Sequence, residues 1–329
     1  MVDISGRKSI PNKDTEHEDG EEMMSRVNIA SADSLIGKRL PVAGMKYGFV
    51  MLVDYMGDDS SIVQAARTSY GKGTKNIRGD EGLIRYLMRH DHTTPFEMVD
   101  FKFFCRMPIF TARQWIRHRT ASVNEYSARY SLVPDEFHVF RSDALKAQSF
   151  TNKQGRSGSL PNSVKTEFIR KQIKIGEEAY SAYKWAIDNG IAREIARGVL
   201  PVSYYTQWYW KINLHNLLHF LELRMDAHAQ AEIRVYADVI ADIVKTVVPI
   251  TWKAFEDYKL NGMRFSALEL RALDMLLLNE GFDAAAVSAA EKAGMPLLRK
   301  DGNGNMVPMK TGEGVEFLAK LKRIRTSHQ

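Results

Sequence analysis

The sequence predicts an α+β chain, and three observations carry that expectation. Residues 99–107 alternate, with Phe101, Phe103, Cys105 and Met107 on one side and Asp100, Lys102 and Arg106 on the other, as a half-buried strand does. Residues 165–189 repeat apolar side chains at Phe168, Ile169, Ile173, Tyr180, Tyr183 and Ile187, the spacing of an amphipathic helix. The aromatic run at residues 204–210 alternates enough to form a further strand.

Taken in order, residues 1–30 are polar and acidic and offer nothing to bury, so a mobile tail is expected. Residues 44–55 read as a buried strand ending at the turn-like Gly57-Asp58-Asp59. Short helices are expected at residues 60–68 and 81–90, with a loop at residues 69–73 between them. Pro108 ends the strand of residues 99–107, residues 110–119 follow as a helix, and residues 124–130 are expected to be extended. Residues 150–162 make a polar, Gly-rich loop, and Gly190 stops the long helix after it. A shorter helix at residues 191–199 precedes Leu200-Pro201. Two more run over about residues 213–223 and from beyond Asp226 to about residue 248, where Pro249 closes the second. Past Gly262 the character changes: residues 266–279 and 315–325 read as helices, with an Asp301-Gly302-Asn303-Gly304 turn between them. The chain thus divides into a tail (1–30), a main domain (31–262) and a helical extension (263–329).

With 329 residues, 44% of them hydrophobic, the chain is able to bury one large core or two smaller ones. The net charge of +6 favours anionic partners without choosing among nucleic acid, nucleotides and phosphorylated cofactors. A single cysteine excludes an intrachain disulfide framework and any multi-cysteine metal or cluster site. The N-terminus lacks the apolar core of a signal peptide, and no apolar run is long enough to span a bilayer. A soluble, cytoplasmic protein with no membrane partner is expected.

Residues 113–131 concentrate the chemistry. Arg113, Arg117, His118, Arg119 and Arg129 stand there with Gln114, Asn124, Glu125 and Ser127, many donors against few carboxylates. On a helix over residues 110–119, Gln114, Arg117 and His118 share a face; on an extended run, Glu125, Ser127 and Arg129 point one way. Such a set suits a nucleotide, the Arg forks for phosphate and Glu and Ser for ribose hydroxyls or a base edge.

Other candidates have plainer readings. Cys105 sits on the apolar face of its strand with no cation beside it there, which makes a buried, inert thiol rather than a nucleophile. His215 and His219 have a spacing able to put two imidazoles on a metal, but Asn216 stands where a metalloprotease needs Glu, and no metal site is expected. Tyr204, Tyr205, Trp208, Tyr209 and Trp210 would suit base stacking in a nucleic-acid-binding protein; core or subunit interface is their commoner fate. Asn124 and Glu125 among the arginines favour a small-molecule pocket, with no nucleic-acid partner.

The run Gln-Trp-Xaa-Arg-His-Arg-Xaa-Xaa-Ser-Xaa-Asn-Glu-Xaa-Ser-Xaa-Arg-Tyr, in which seven residues separate Arg117-His118-Arg119 from Ser127, resembles the signature of the flavin-dependent thymidylate synthases. Three further segments match that family in order: His92-Xaa-Thr94-Pro95-Phe96-Glu97, Arg193-Glu194-Xaa-Ala196-Arg197 with Leu200-Pro201, and Leu223-Arg224-Xaa-Asp226-Xaa-His228-Ala229-Gln230-Xaa-Glu232-Ile233. Together they cover about residues 40–258. Met98 departs from the pattern, standing where many members carry a His.

The resemblance implies an α+β subunit of the thymidylate synthase-complementing type, a mixed sheet flanked by long helices, with residues 31–262 as the catalytic domain. It implies a homotetramer whose active sites form where subunits meet. Such enzymes bind FAD, reduce it with NADPH, take a one-carbon unit from methylenetetrahydrofolate and methylate dUMP to dTMP. By the same resemblance, dUMP is held by Gln114, Arg117, Glu125, Ser127, Arg129, Arg197 and Arg224. FAD would contact Ser69, His92, Thr94, Glu97, Arg117, His118, Arg119, Asn124, Asn213, His219 and His228. Reduced flavin supplies the hydride in that chemistry, so no cysteine nucleophile is needed, and Arg224 is the catalytic residue expected to polarise the pyrimidine. The chain has no Gly-Xaa-Gly-Xaa-Xaa-Gly fingerprint, so a dinucleotide is not held in a Rossmann pocket.

Overall fold

The computed structural model describes residues 27–68, 80–150, 155–267, 269–270, 282–301, 304–309 and 312–326. The expected loop at 69–73, most of the expected tail and most of the helix at 266–279 lie outside the described residues. The chain forms two compact units, Met1–Leu260 and Asn261–Gln329.

In the first unit the strands are β1 (Leu40–Pro41), β2 (Phe49–Met56), β3 (Asp100–Pro108), β4 (Ser122–Glu125), β5 (Ala147–Gln148), β6 (Arg156–Ser157) and β7 (Tyr205–Asn213). The helices are α1 (Ala30–Asp33), α2 (Asp59–Thr68), α3 (Asp80–Arg89), α4 (Ile109–Trp115), α5 (Asn162–Asp188), α6 (Arg193–Ala196), α7 (Leu214–Met225), α8 (Ala231–Val247) and α9 (Pro249–Phe255). Five strands form one sheet in the order β1-β2-β3-β7-β4. All its strand pairings are antiparallel, which corrects the expected mixed sheet. The physical reason is visible in β3: it buries one face only, and that alternation belongs to an antiparallel strand, whereas parallel strands are covered on both faces.

β3 and β7 pair along their full length, setting Phe101 opposite Ile212, Phe103 opposite Trp210 and Cys105 opposite Trp208. These six side chains are buried on one face, and α8 packs into the same core through Ile233, Tyr236, Ala237, Ile240 and Val244. The Tyr236 hydroxyl donates to the Arg106 carbonyl at 2.9 Å, tying helix to sheet. The aromatic run is therefore core: Tyr204, Tyr205, Trp208 and Trp210 are buried and Tyr209 is 43% exposed. A stacking platform for bases is not what this run builds. A smaller core gathers Val133, Tyr183, Ala186, Ala196 and Tyr204 beneath α5.

Several boundaries differ from expectation. α4 stops at Trp115, so Arg117, His118 and Arg119 lie in a turn and do not share a helical face with Gln114. The Trp115 ring is buried against Trp208, Trp210, Phe220 and Tyr236, and its carbonyl accepts the His118 amide at 3.0 Å, which closes the turn. Extended structure ends at Glu125, because the last rung to β7 is Tyr126 N–H to Gln207 O; Tyr130 N–H then bonds Ser127 O in a turn. Glu125, Ser127 and Arg129 are not on one strand face. The loop at 150–162 is entered and left through the β5–β6 hairpin, and residues 151–154 lie outside the described residues. Residues 191–199 split into α6 and a 3₁₀ turn, Arg197–Val199. Asp226–Gln230 is a turn before α8, and Pro249 opens α9 at a first-turn position that needs no N–H.

The second unit holds α10 (Phe282–Lys292), a hairpin of β8 (Leu298–Lys300) and β9 (Met306–Pro308), and α11 (Glu313–Thr326). Of the turn expected at residues 301–304, residues 302–303 lie outside the described residues, and Gly304 N–H bonds Asp301 O. Among the described residues, no helix is long and apolar enough to cross a membrane.

Candidate active site

The site is organised on α7. Asn213 ends β7 and caps the helix, its side-chain oxygen accepting the Asn216 amide at 3.0 Å. Leu214, Leu217, Leu218, Phe220 and Leu221 bury one side of α7, leaving His219 exposed on the other. Arg224 stands in the last turn, where a cation suits the helix dipole. Its Nε donates to His118 Nε2 at 2.9 Å.

That bond fixes the chemistry of His118. A ring nitrogen that accepts from a guanidinium carries no proton, so the imidazole is neutral and its proton sits on Nδ1. Burial, then the charges of Arg224 and His219, push the His118 pKa down to about 4. The ring stacks edge-on to Phe220 at 4.9 Å and lies 6.3 Å from His219. Burial also lowers the Arg224 pKa from its ordinary value, though a guanidinium stays charged near neutrality. Arg117 and Arg119, either side of His118, are exposed.

β4 continues the site. Pairing with β7 puts Asn124 opposite Tyr209 and Glu125 opposite Trp208, and Glu125 Oε1 accepts the Thr206 hydroxyl at 2.6 Å. Beyond the strand, Arg129 N–H bonds Ser127 Oγ at 3.3 Å and the Arg129 guanidinium pairs with Glu194 at 3.2 Å. Arg193 donates to the Tyr130 carbonyl at 2.6 Å. These two links join the Ser127–Arg129 turn to the segment that carries Arg197. Both Arg129 and Glu194 are more than half exposed, so their pair contributes little and an incoming anion can displace it.

The His92–Glu97 segment belongs to the opposite end of α7. Thr94–Met98 is a 3₁₀ turn anchored by buried Phe96 and packed on α2 and α7. Leu214 N–H bonds the Val99 carbonyl at 2.7 Å, so Asn213, Thr94 and Glu97 cluster near the start of the helix. His92 is exposed, with its ring 5.7 Å from Tyr86. From Asn213 to Arg224 the helix rises about 16 Å. One chain therefore carries two candidate half-sites about α7: His118 and Arg224 at its C-terminal end, with His219 about a turn earlier, and Thr94, Glu97 and Asn213 near its start, with His92 just before them in the chain. Ser69 lies outside the described residues. Gln114 is half-buried in the last turn of α4.

His228 is exposed in the turn before α8, its Nδ1 2.9 Å from Asp226 Oδ1. The His228 amide and ring lower the Asp226 pKa. This turn borders a cavity of about 810 Å³ that Lys146, Gln148, Arg156 and Arg234 also line. Of these, only Arg156 falls within the Gly-rich loop expected at residues 150–162; Lys146, Gln148 and Arg234 belong to no motif that the sequence marked. The missing signal is tertiary, since the hairpin and the turn before α8 are some seventy residues apart in sequence.

Cys105 is fully buried and burial raises its thiol pKa well above the ordinary range, so no thiolate is available there.

A family model described as thymidylate synthase complementing protein matches residues 51–250. A flavin-dependent thymidylate synthase of Rickettsia conorii is 50% identical over 268 residues, covering 78% of this chain and 90% of that one. Its counterpart from Thermus thermophilus is 53% identical over 249 residues, covering 76% and 90%. Among solved structures, a UMP/dUMP methylase from Streptomyces cacaoi, bound with 5-Br dUMP, superimposes with a TM-score of 0.60 at 36% identity and covers 66% of this chain and 97% of that one. With 50% identity to such a relative over 78% of its length, and with the family model matching residues 51–250, this chain belongs to the flavin-dependent thymidylate synthase family.

Proposed function

We propose that the protein methylates dUMP to dTMP, using methylenetetrahydrofolate as one-carbon donor and NADPH as reductant through FAD. The observation that carries this reading is the Arg224–His118 bond, which holds a guanidinium at a helix end against a neutral imidazole flanked in the chain by exposed Arg117 and Arg119. The donor set suits FAD. Exposed Arg117 and Arg119 have the charge and the forked geometry that a pyrophosphate needs, and neutral His118 adds a ring donor. Ser69, His92, Thr94, Glu97, Asn124, Asn213, His219 and His228 complete the FAD contacts in this reading.

When bound, the reduced flavin supplies the hydride. The chain's own residues bind and polarise. Gln114, Glu125, Ser127, Arg129 and Arg197 hold the phosphate and sugar of dUMP, and Arg117 lies with Arg224 where nucleotide and flavin meet. Arg224 faces the pyrimidine carbonyls and stabilises negative charge that develops on them. The buried, protonated Cys105 takes no part, and Ser127 is a binder.

The two half-sites on α7 support a homotetramer in which each active site draws on more than one subunit. Phe168, Ile175 and Trp185 are exposed within about 100° of one another around α5, and Ile195 and Val199 are exposed just beyond it, apolar surface of the kind subunits cover. The catalytic domain spans residues 31–262, with the tail and the extension outside it, and the protein acts in the cytoplasm. The test is to supply dUMP, methylenetetrahydrofolate, NADPH and FAD to the purified protein and assay dTMP. Folded, flavin-loaded protein that forms no dTMP refutes the reading.

A further inference from the structure

The 810 Å³ cavity is a built cationic site that, His228 of the FAD set apart, none of the assigned dUMP and FAD contacts lines. Its size is that of a small-molecule pocket, typically about 300–1,000 Å³. Lys146 enters from the chain before β5, Arg156 from β6 and Arg234 from the first turn of α8. Against these three cations the lining offers one carboxylate, Asp143, which already pairs with Arg141 at 3.3 Å.

The positions are held rather than solvated at random. Arg156 Nη2 donates at 2.9 Å to Glu232, whose side chain is only 5% exposed. The second Glu232 oxygen accepts Gln230 Nε2 at 2.9 Å, which pins the turn that frames the cavity. Arg234 Nη1 donates to the Ala227 carbonyl, on the same turn, at 3.0 Å. α8 begins at this wall without a side-chain cap, so its first amides add positive potential. A second cavity of about 260 Å³ shares Phe140, Asp143, Ala144, Arg156 and Ala231 with the first. It reaches His138, 5% exposed, whose Nε2 is buried without a hydrogen-bond partner.

We propose that this cavity binds the anionic tail of a co-substrate through phosphate or carboxylate oxygens. The inference rests on the proposed function, which calls for two co-substrates with such tails: NADPH with its phosphates and the folate with its glutamyl carboxylates. Only three residues separate Arg224 from His228 in the cavity wall, so a ligand seated here lies next to the pyrimidine end of the site.

The test uses the flavin-loaded full chain and two variants, Lys146→Glu and Arg234→Gln. KM is measured for NADPH against NADH, and for the monoglutamyl against the triglutamyl folate. The expected result is a rise of about tenfold, for Lys146→Glu, in the KM of the ligand whose tail enters the cavity, with the dUMP KM within about twofold of its original value. Loss of the NADPH preference over NADH assigns the cavity to the 2′-phosphate; loss of the triglutamyl advantage assigns it to the folate. Unchanged KM values for every ligand in both variants overturn the proposal. Calorimetric titration with inorganic tripolyphosphate separates this from failure of the proposed function. A protein that makes no dTMP yet binds tripolyphosphate about tenfold more weakly as Lys146→Glu keeps the site and loses the reaction. Equal binding by both proteins, or none by either, refutes the site.

Discussion

The His118–Arg224 bond makes acid stability a direct test of the site's electrostatics. In the folded chain the His118 pKa is about 4 rather than 6.5, because burial and two cationic neighbours disfavour the imidazolium. The sign follows from proton linkage. Between pH 6.5 and 4 the unfolded chain binds a proton that the folded chain refuses, so stability falls as pH drops through that window and is complete above it. The full difference corresponds to about 3 kcal/mol, and screening of a ring that is only half-buried reduces the expectation to about 1–2 kcal/mol. Protonation also removes the acceptor that Arg224 uses, so the guanidinium loses its anchor over the same range. The variant His118→Gln offers Arg224 an amide oxygen that does not titrate. Urea unfolding followed by circular dichroism, at fixed protein concentration and several pH values from 7.5 to 4.5, should show the natural chain losing about 1–2 kcal/mol more than the variant. His138, whose pKa burial also lowers, titrates in both proteins and cancels. Parallel pH profiles would show that His118 is not held neutral in the fold.

Three further outcomes follow from the geometry. Cys105→Ala should leave turnover nearly intact and lower stability by about 1 kcal/mol, since it removes one fully buried sulfur; loss of turnover in folded protein would contradict a thiol-independent mechanism. Arg224→Ala should reduce kcat by about 10²–10³ with a smaller change in dUMP binding, whereas Arg129→Ala should chiefly raise the dUMP KM; equal effects of both changes on kcat and KM would remove the distinction between polariser and binder. Gly176→Ala builds a Cβ 2.4 Å from the Phe137 ring, which has to shift. Overpacking of about 1–3 kcal/mol should outweigh the gain of about 1 kcal/mol in helix propensity, and an undiminished melting temperature would show that the ring yields freely.

The strands and helices that carry these residues are largely local decisions. Alternation in residues 99–107 and the helical spacing in residues 165–189 each satisfy their own backbone hydrogen bonds, so a single stretch of sequence is enough to announce them. The motif residues were legible in the same way, because Arg117-His118-Arg119, Ser127 and Arg224 identify themselves by type and spacing. The chain by itself therefore determined the class of fold, the buried state of Cys105 and the family.

Tertiary packing decided the rest. Nothing near Trp115 in sequence marks the end of α4; the helix stops there because that indole is captured by Trp208, Trp210 and Phe220. The strand ending at Glu125 stops although β7 runs on to Tyr205, because the chain around Glu136 takes over that edge, Tyr205 N–H bonding Glu136 O, and the antiparallel sense of the sheet follows from which elements cover which face. His118 and Arg224 are 106 positions apart in sequence, yet burial and the Arg224 guanidinium together hold the ring neutral. The cationic cavity likewise draws Lys146 and Arg156 to Arg234 across a gap that no local pattern spans. Periodicity reports what a segment does with its own backbone. Charge state and pocket depend on what burial brings next to a side chain, and only the folded chain supplies that neighbour.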